Sequence, residues 1–219
     1  MINKSKIKIL LLSPLILFLF SFNLNSQKYF EGTIKYKYDY IIKNDKLSID
    51  RLKDFFGTSS EFYFKEGNFL ERYDKGILKE QLYRMKDHRL YFRNKTSDTV
   101  NYSNTLLPGK QIIKTEINID KDTVLGIICH ELVIDYDDYK FSLYFNRDYA
   151  IDPDWYVDYK RNGKDVYSRL IKSIYLKFKL EYKDFILIGT AAEINRKKLE
   201  DSVFDLKKQE VLVEKTELK

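Results

Sequence analysis

Ile34, Tyr36, Tyr38 and Tyr40 alternate with Thr33, Lys35, Lys37 and Asp39. Successive strand side chains point to opposite faces, so this period of two predicts a strand with one covered face and one wet face. The period then lengthens. Ile49, Leu52, Phe55 and Phe56 recur at helical spacing, with Ser48 placed to cap the start and Gly57 to end it. The spacing predicts a short amphipathic helix over 48–56 whose apolar stripe packs onto a sheet.

Strand signals return in series. Phe62 and Phe64 alternate with Glu61, Tyr63 and Lys65. Two further runs, 69–73 and 77–85, flank Asp74-Lys75-Gly76, a hairpin turn in which glycine supplies the positive φ. Residues 88–93 make another short strand. Residues 94–110, with Asn, Ser, Thr, Pro108 and Gly109, read as a long surface loop. Ile113, Thr115, Ile117 and Ile119 alternate again. The run TVLGIICHELVI over 123–134 is apolar on both faces and reads as one well-covered strand, and Phe141, Leu143 and Phe145 mark the next. Residues 163–172 suit a second helix. Leu176, Phe178, Leu180 and Tyr182 then alternate with lysines and Glu181, and 185–194 follows as the hairpin partner. About ten strands, two short helices and no linker predict a mainly β (α+β) domain, a single curled antiparallel sheet with helices on one side.

The first 26 residues carry a different signal. Lys4, Lys6 and Lys8 precede an apolar run from Ile9 to Phe22, and Asn23-Leu24-Asn25-Ser26 follows. That order is the one of a secretory signal peptide cleaved after Ser26. The apolar run is also shorter than the roughly 20 residues a spanning helix needs. The expected organisation is a signal peptide over 1–26, one β-rich domain over 27–206 and a charged tail over 207–219. A lipid-anchored export signal would need cysteine as the first mature residue. The chain's one cysteine is Cys129, so the expectation is a soluble periplasmic or secreted bacterial protein without a lipid anchor or an internal disulfide.

Charge and chemistry narrow the function classes. The formal charge of +6 owes half its excess to the three signal-peptide lysines, and the remaining +3 is interspersed with acids. Nucleic acid is therefore not an expected partner. The chain has only two histidines, His88 and His130, and no GxSxG elbow, phosphate-binding glycine loop or HExxH helix. Cys129 and His130 are neighbours on a strand and point to opposite faces, which argues against a dyad. One cysteine and two separated histidines make no structural zinc site, and Asp135, Asp137 and Asp138 lack calcium-loop spacing. The expectation is a protein that is not an enzyme and uses neither cofactor nor metal.

What the chain has in excess is aromatic surface: 18 Tyr and 15 Phe. The opening strand FEGTIKYKYDY, the short helix after it, the hairpin series, TVLGIICHELVI, Ala192-Glu193-Ile194 and Asp201-Ser202-Val203-Phe204 together resemble the LolA-like periplasmic carriers, and more closely the secreted bacterial domains of unknown function related to them. The resemblance spans most of 28–206. It implies an incomplete antiparallel β-barrel whose concave side is covered by helices and holds an apolar cavity. It also implies an arginine of the sheet that clasps the closed state, for which Arg72, Arg84, Arg89 and Arg93 are candidates. On this reading Tyr36, Tyr38, Phe178 and Leu180 of the sheet, lidded by Leu52, Phe55 and Phe56, would bury a lipid or lipoprotein acyl chain. The alternative is a non-catalytic envelope protein whose aromatic face is filled by its own side chains and which acts through surface contacts.

Overall fold

The computed structural model describes residues 28–97, 99–206 and 212–214; the segment read as a signal peptide and most of the charged tail lie outside them. Twelve strands form one open sheet in the order β12-β6-β5-β4-β3-β2-β1-β11-β10-β9-β8-β7. Two meanders build it. The first runs through β1 (Gly32–Ile42), β2 (Ser59–Lys65), β3 (Asn68–Tyr73), β4 (Leu78–Arg84), β5 (Arg89–Asn94) and β6 (Val100–Asn104). The second runs through β7 (Lys114–Val124), β8 (Ile127–Asp135), β9 (Tyr139–Ala150), β10 (Ser173–Tyr182) and β11 (Phe185–Arg196). Antiparallel pairing of β1 with β11, from Gly32↔Arg196 to Ile42↔Phe185, joins the two halves. The short β12 (Leu212–Glu214) pairs in parallel with β6. The sheet curls without closing, and two short helices cover its concave face, which is the coarse layout expected.

Those helices are α1 (Ile49–Phe56) and α2 (Lys164–Ile171). Ser48 caps α1, its side-chain oxygen accepting from the Arg51 amide, and Gly57 ends it at φ 94°. The stripe is less buried than its spacing suggests. Leu52 packs into the core and Phe56 against Phe185, but Ile49 and Phe55 stay exposed. Eight residues make only about two turns, so one stripe cannot all face a curved sheet.

Two other expectations are corrected. Residues 94–110 are not all loop, because β6 forms within them: Val100 is buried on the convex face and the Tyr102 ring lies 6.0 Å from Tyr91. The run 123–134 is not one strand covered on both faces. It breaks at Leu125 (φ 52°) and Gly126 (φ 78°) into the β7–β8 hairpin, a two-residue turn with both φ positive. Ile117 and Ile119 on the edge strand β7 are exposed, as are Ile113 just before it and Ile128 on β8.

The two faces carry separate cores. The concave core gathers Ile34, Tyr36, Phe64, Tyr83, Leu143 and Tyr156 with the helices over them. On the convex face, Leu70, Leu82, Tyr91 and Val100 are covered by Leu199 and Phe204 of the segment after β11. A one-turn 3-10 helix, Asp201–Phe204, sets Phe204 against that face.

Candidate functional site

One large cavity lies on the opposite face from the expected site. About 560 Å³ opens between the convex face and residues 202–206. Glu80 in its wall takes both Arg72, at 3.5 Å, and Arg93, and Lys79 and Asp205 also line it. The four arginines considered for a clasp are accounted for on these terms. Arg84 pairs with Asp87 at 3.0 Å and Arg89 stacks over Tyr102 at 4.3 Å. None of the four lines the two concave cavities.

The concave face holds two cavities. One, of about 420 Å³, lies beneath α1 and includes Tyr38, Phe55, Phe56, Phe178 and Leu180 in its lining. Those five are sequence-predicted site residues. The other two stand behind the wall: Leu52 is buried in the core, and the Tyr36 ring packs 5.9 Å from Phe178. Tyr36 donates its hydroxyl to the Tyr175 carbonyl at 2.7 Å, holding β10 at an irregular point. There the β9–β10 register shifts between Tyr175 and Lys177. The bulge resets the alternation, so Tyr175 joins Phe178 and Leu180 in the cavity wall. Phe55 and Ile77, both about half exposed, form its apolar rim.

Phe178 owes its place to a missing side chain. It lies opposite Gly189 on β11, and a Cβ on Gly189 would stand 2.2 Å from its ring. Gly189→Ala should therefore push the ring into the cavity. We expect a loss of about 1–3 kcal/mol on denaturant unfolding, together with a smaller cavity; an unchanged midpoint would mean the ring has another place to go.

The second cavity, about 210 Å³, lies beneath α2 and is the more polar of the two. It shares Glu71, Gln81 and Tyr175 with the first as a common wall. Glu71 and Gln81 sit directly opposite on β3 and β4. Tyr38 donates to Ser60 Oγ at 2.6 Å, Ser60 to Glu71 Oε1 at 2.7 Å, and Tyr73 to Oε2 at 2.9 Å. Burial raises the Glu71 pKa, and these hydroxyls oppose the rise without cancelling it. Burial likewise raises Tyr73 and Tyr175, so the phenols stay neutral donors.

Lys164, the first residue of α2, supplies the one cation in the lining of this chamber. Its ammonium lies 4.4 Å from the centroid of Tyr156, 5.1 Å from Tyr167, 5.4 Å from Phe69 and 5.7 Å from Tyr159. Loss of water contact lowers its pKa to about 7. Lys164 and Glu71 both keep some accessible surface, and both line cavities. The sequence offered no signal for either: a lysine opening a polar helix and a glutamate inside a strand both read as solvated charges.

The histidines and the cysteine stay apart from this site. Cys129 is buried with its thiol against the Ile127 carbonyl, and burial pushes its pKa up. His130 Nδ1 accepts from the Asp120 amide at 3.1 Å. Among the described residues, no three His, Cys, Asp or Glu side chains gather as a metal site, and no helix is long and apolar enough to cross a membrane.

No protein-family model and no curated protein sequence matches the chain. Among solved structures, PNGF-II in two crystal forms aligns at 12% and 13% identity with TM-scores of 0.44 and 0.43, over 84% of this chain. The chain spans about a third of the length of PNGF-II, 31% and 32% in the two forms. The Mycobacterium tuberculosis lipoprotein LppX aligns at 9% identity with a TM-score of 0.31, over 78% of this chain and 90% of LppX. Scores this low carry no argument about a shared family, activity or ligand. What defines the class is the chain's own architecture: an open curled antiparallel sheet with an aromatic cavity on its concave side.

Proposed function

We propose that the protein is a non-enzymatic carrier or binding module for a hydrophobic ligand such as an acyl chain, working outside the cytoplasm after export. The observation that carries this reading is the cavity of about 420 Å³ beneath α1, lined by aromatic and aliphatic side chains of the sheet and lidded by Phe55 and Phe56. Ligand pockets commonly fall between about 300 and 1,000 Å³ and are mostly apolar with a few placed polar groups. Each methylene moved into such a pocket contributes about 0.8 kcal/mol, so a modest chain binds without specific polar contacts.

Native mass spectrometry of protein purified from its own cell envelope tests the reading. Bound lipid, or uptake of added fatty acid or lipopeptide after delipidation, is expected. Leu180→Trp, which fills the cavity from β10, should abolish uptake while leaving the fold intact, since Leu180 is only partly buried. A uniformly ligand-free spectrum with no uptake would sink the carrier reading.

A further inference from the structure

Lys164 has no group of opposite sign to pair with. Among the described residues, no carboxylate lies within ion-pair distance of its ammonium, and its nearest polar contact is the Tyr167 hydroxyl at 3.5 Å. The acids that might have answered are engaged elsewhere. Asp165, the next residue, takes Lys160 at 2.9 Å and Arg169 at 3.3 Å. Glu71, the acid in the chamber wall, accepts from Ser60 and Tyr73. Four aromatic faces surround the ammonium instead, at centroid distances of 4.4–5.7 Å.

Gln81 is a second polar group in the same wall. It lines both cavities, no hydrogen bond joins its amide to another described residue, and the side chain keeps some accessible surface, so the amide is open to the cavity space. It therefore presents two N–H donors at the boundary between the apolar cavity and the chamber that holds Lys164. The chamber lining thus holds an ammonium among aromatic rings and an open amide, groups that suit a compact anion, and the cavity that shares its wall is apolar enough to suit a hydrocarbon tail.

We propose that the two concave cavities form one site for an amphiphile with a single anionic head, a long-chain carboxylic acid, whose head pairs with Lys164 and Gln81 and whose tail lies against Tyr38, Phe178 and Leu180. This rests on the carrier reading and goes beyond it by excluding esterified acyl chains as the preferred cargo. Head-inward orientation follows from the lining: the apolar rim at Phe55 and Ile77 opens to solvent, and the cation lies beneath α2. The lowered pKa of Lys164 agrees with this arrangement, because a bound carboxylate would supply the missing opposite charge and bring the ammonium back toward its ordinary range.

The test measures binding of hexadecanoate and methyl hexadecanoate to the full chain at pH 7, in parallel. Wild type should bind the acid at least tenfold more tightly than the ester. Lys164→Met should weaken the acid at least tenfold and leave the ester unchanged. A readout that needs no variant is carboxyl-labelled hexadecanoate followed by NMR. The bound head should titrate well below free fatty acid in the same buffer. Equal binding of acid and ester by wild type would overturn the head-group assignment and leave the carrier reading standing. Binding of neither probe would overturn both.

Discussion

Phe204→Ala should destabilise the protein by about 3–5 kcal/mol, the range for deleting a buried phenylalanine ring. Phe204 is 6% exposed and packs with Leu199 over Leu70, Leu82 and Tyr91 on the convex face. An antiparallel sheet can leave one face to solvent when that face is polar, but here β3, β4 and β5 carry apolar residues on both. Leu70 and Leu82 face each other in register, as do Leu82 and Tyr91. Removing the ring leaves that row half covered, and the segment after β11 is then held by Leu199, by hydrogen bonds from its amide to Glu31 and from Lys65 to its carbonyl, and by the Lys65–Asp201 pair. That pair contributes little because Asp201 is exposed. Chemical denaturation gives the cost as a shift in midpoint at constant slope. Acyl-chain uptake should survive in the folded fraction, since the concave cavities share no lining with Phe204. A loss under about 1 kcal/mol would mean the segment does not seal the convex core.

Lys164→Met should have the opposite sign and stabilise the ligand-free protein at neutral pH. The ordinary lysine pKa of 10.5 falls to about 7 in the fold through desolvation. That displacement corresponds to at most roughly 5 kcal/mol against the charged form, and the cost is smaller to the extent that the side chain keeps accessible surface. Methionine removes the charge and keeps most of the volume, so a net gain of about 2–4 kcal/mol is expected. The melting temperature should rise by about 5–10 °C for a chain of this size.

The pH dependence follows from proton counting. Below pH 7 the lysine is charged in both states and the folded protein carries the whole penalty. Between 7 and 10.5 the unfolded chain holds more protons than the native one, so wild type gains stability with rising pH. The advantage of the methionine variant should therefore be largest below pH 7 and gone by about pH 10.5. The groups facing Lys164 are Tyr156, Tyr159 and Tyr167, with Glu71 in the chamber wall. Burial raises the pKa of all four, and their titration is common to both proteins. A constant difference across this range would show that the amine is solvated.

The opposite charge that the empty fold does not supply would come from a bound carboxylate. Replacing an unpaired buried charge by an apolar group commonly stabilises a protein, and the variant should lose acid binding as it gains stability. Measured together, the two effects separate a lysine that holds the fold from one that holds a ligand.

Local patterns were legible in the letters because local physics sets them. The alternation of Ile34, Tyr36, Tyr38 and Tyr40 reflects a backbone that turns each side chain to the opposite face, and those four are buried as it requires. Ser48 and Gly57 mark α1 because a cap oxygen and a residue free to take positive φ are local needs. The same reasoning placed Tyr38, Phe55, Phe56, Phe178 and Leu180 around one concavity. It misjudged 123–134, where Leu125 takes a positive φ that its side chain does not favour, and 94–110, where β6 forms on packing supplied by β5.

The sequence by itself thus determined most of the strands, the capped helix and an aromatic face with something to cover. Only the tertiary structure decided that the face stays hollow, that Tyr175 joins the wall through a bulge, and that Glu71, Gln81 and Lys164 meet there from β3, β4 and α2. The reason is physical. A side chain's direction is fixed by its own backbone. Whether a charge is solvated, paired or walled in depends on which distant elements close over it, and nothing within a few residues of Lys164 encodes the rings of Phe69 and Tyr156.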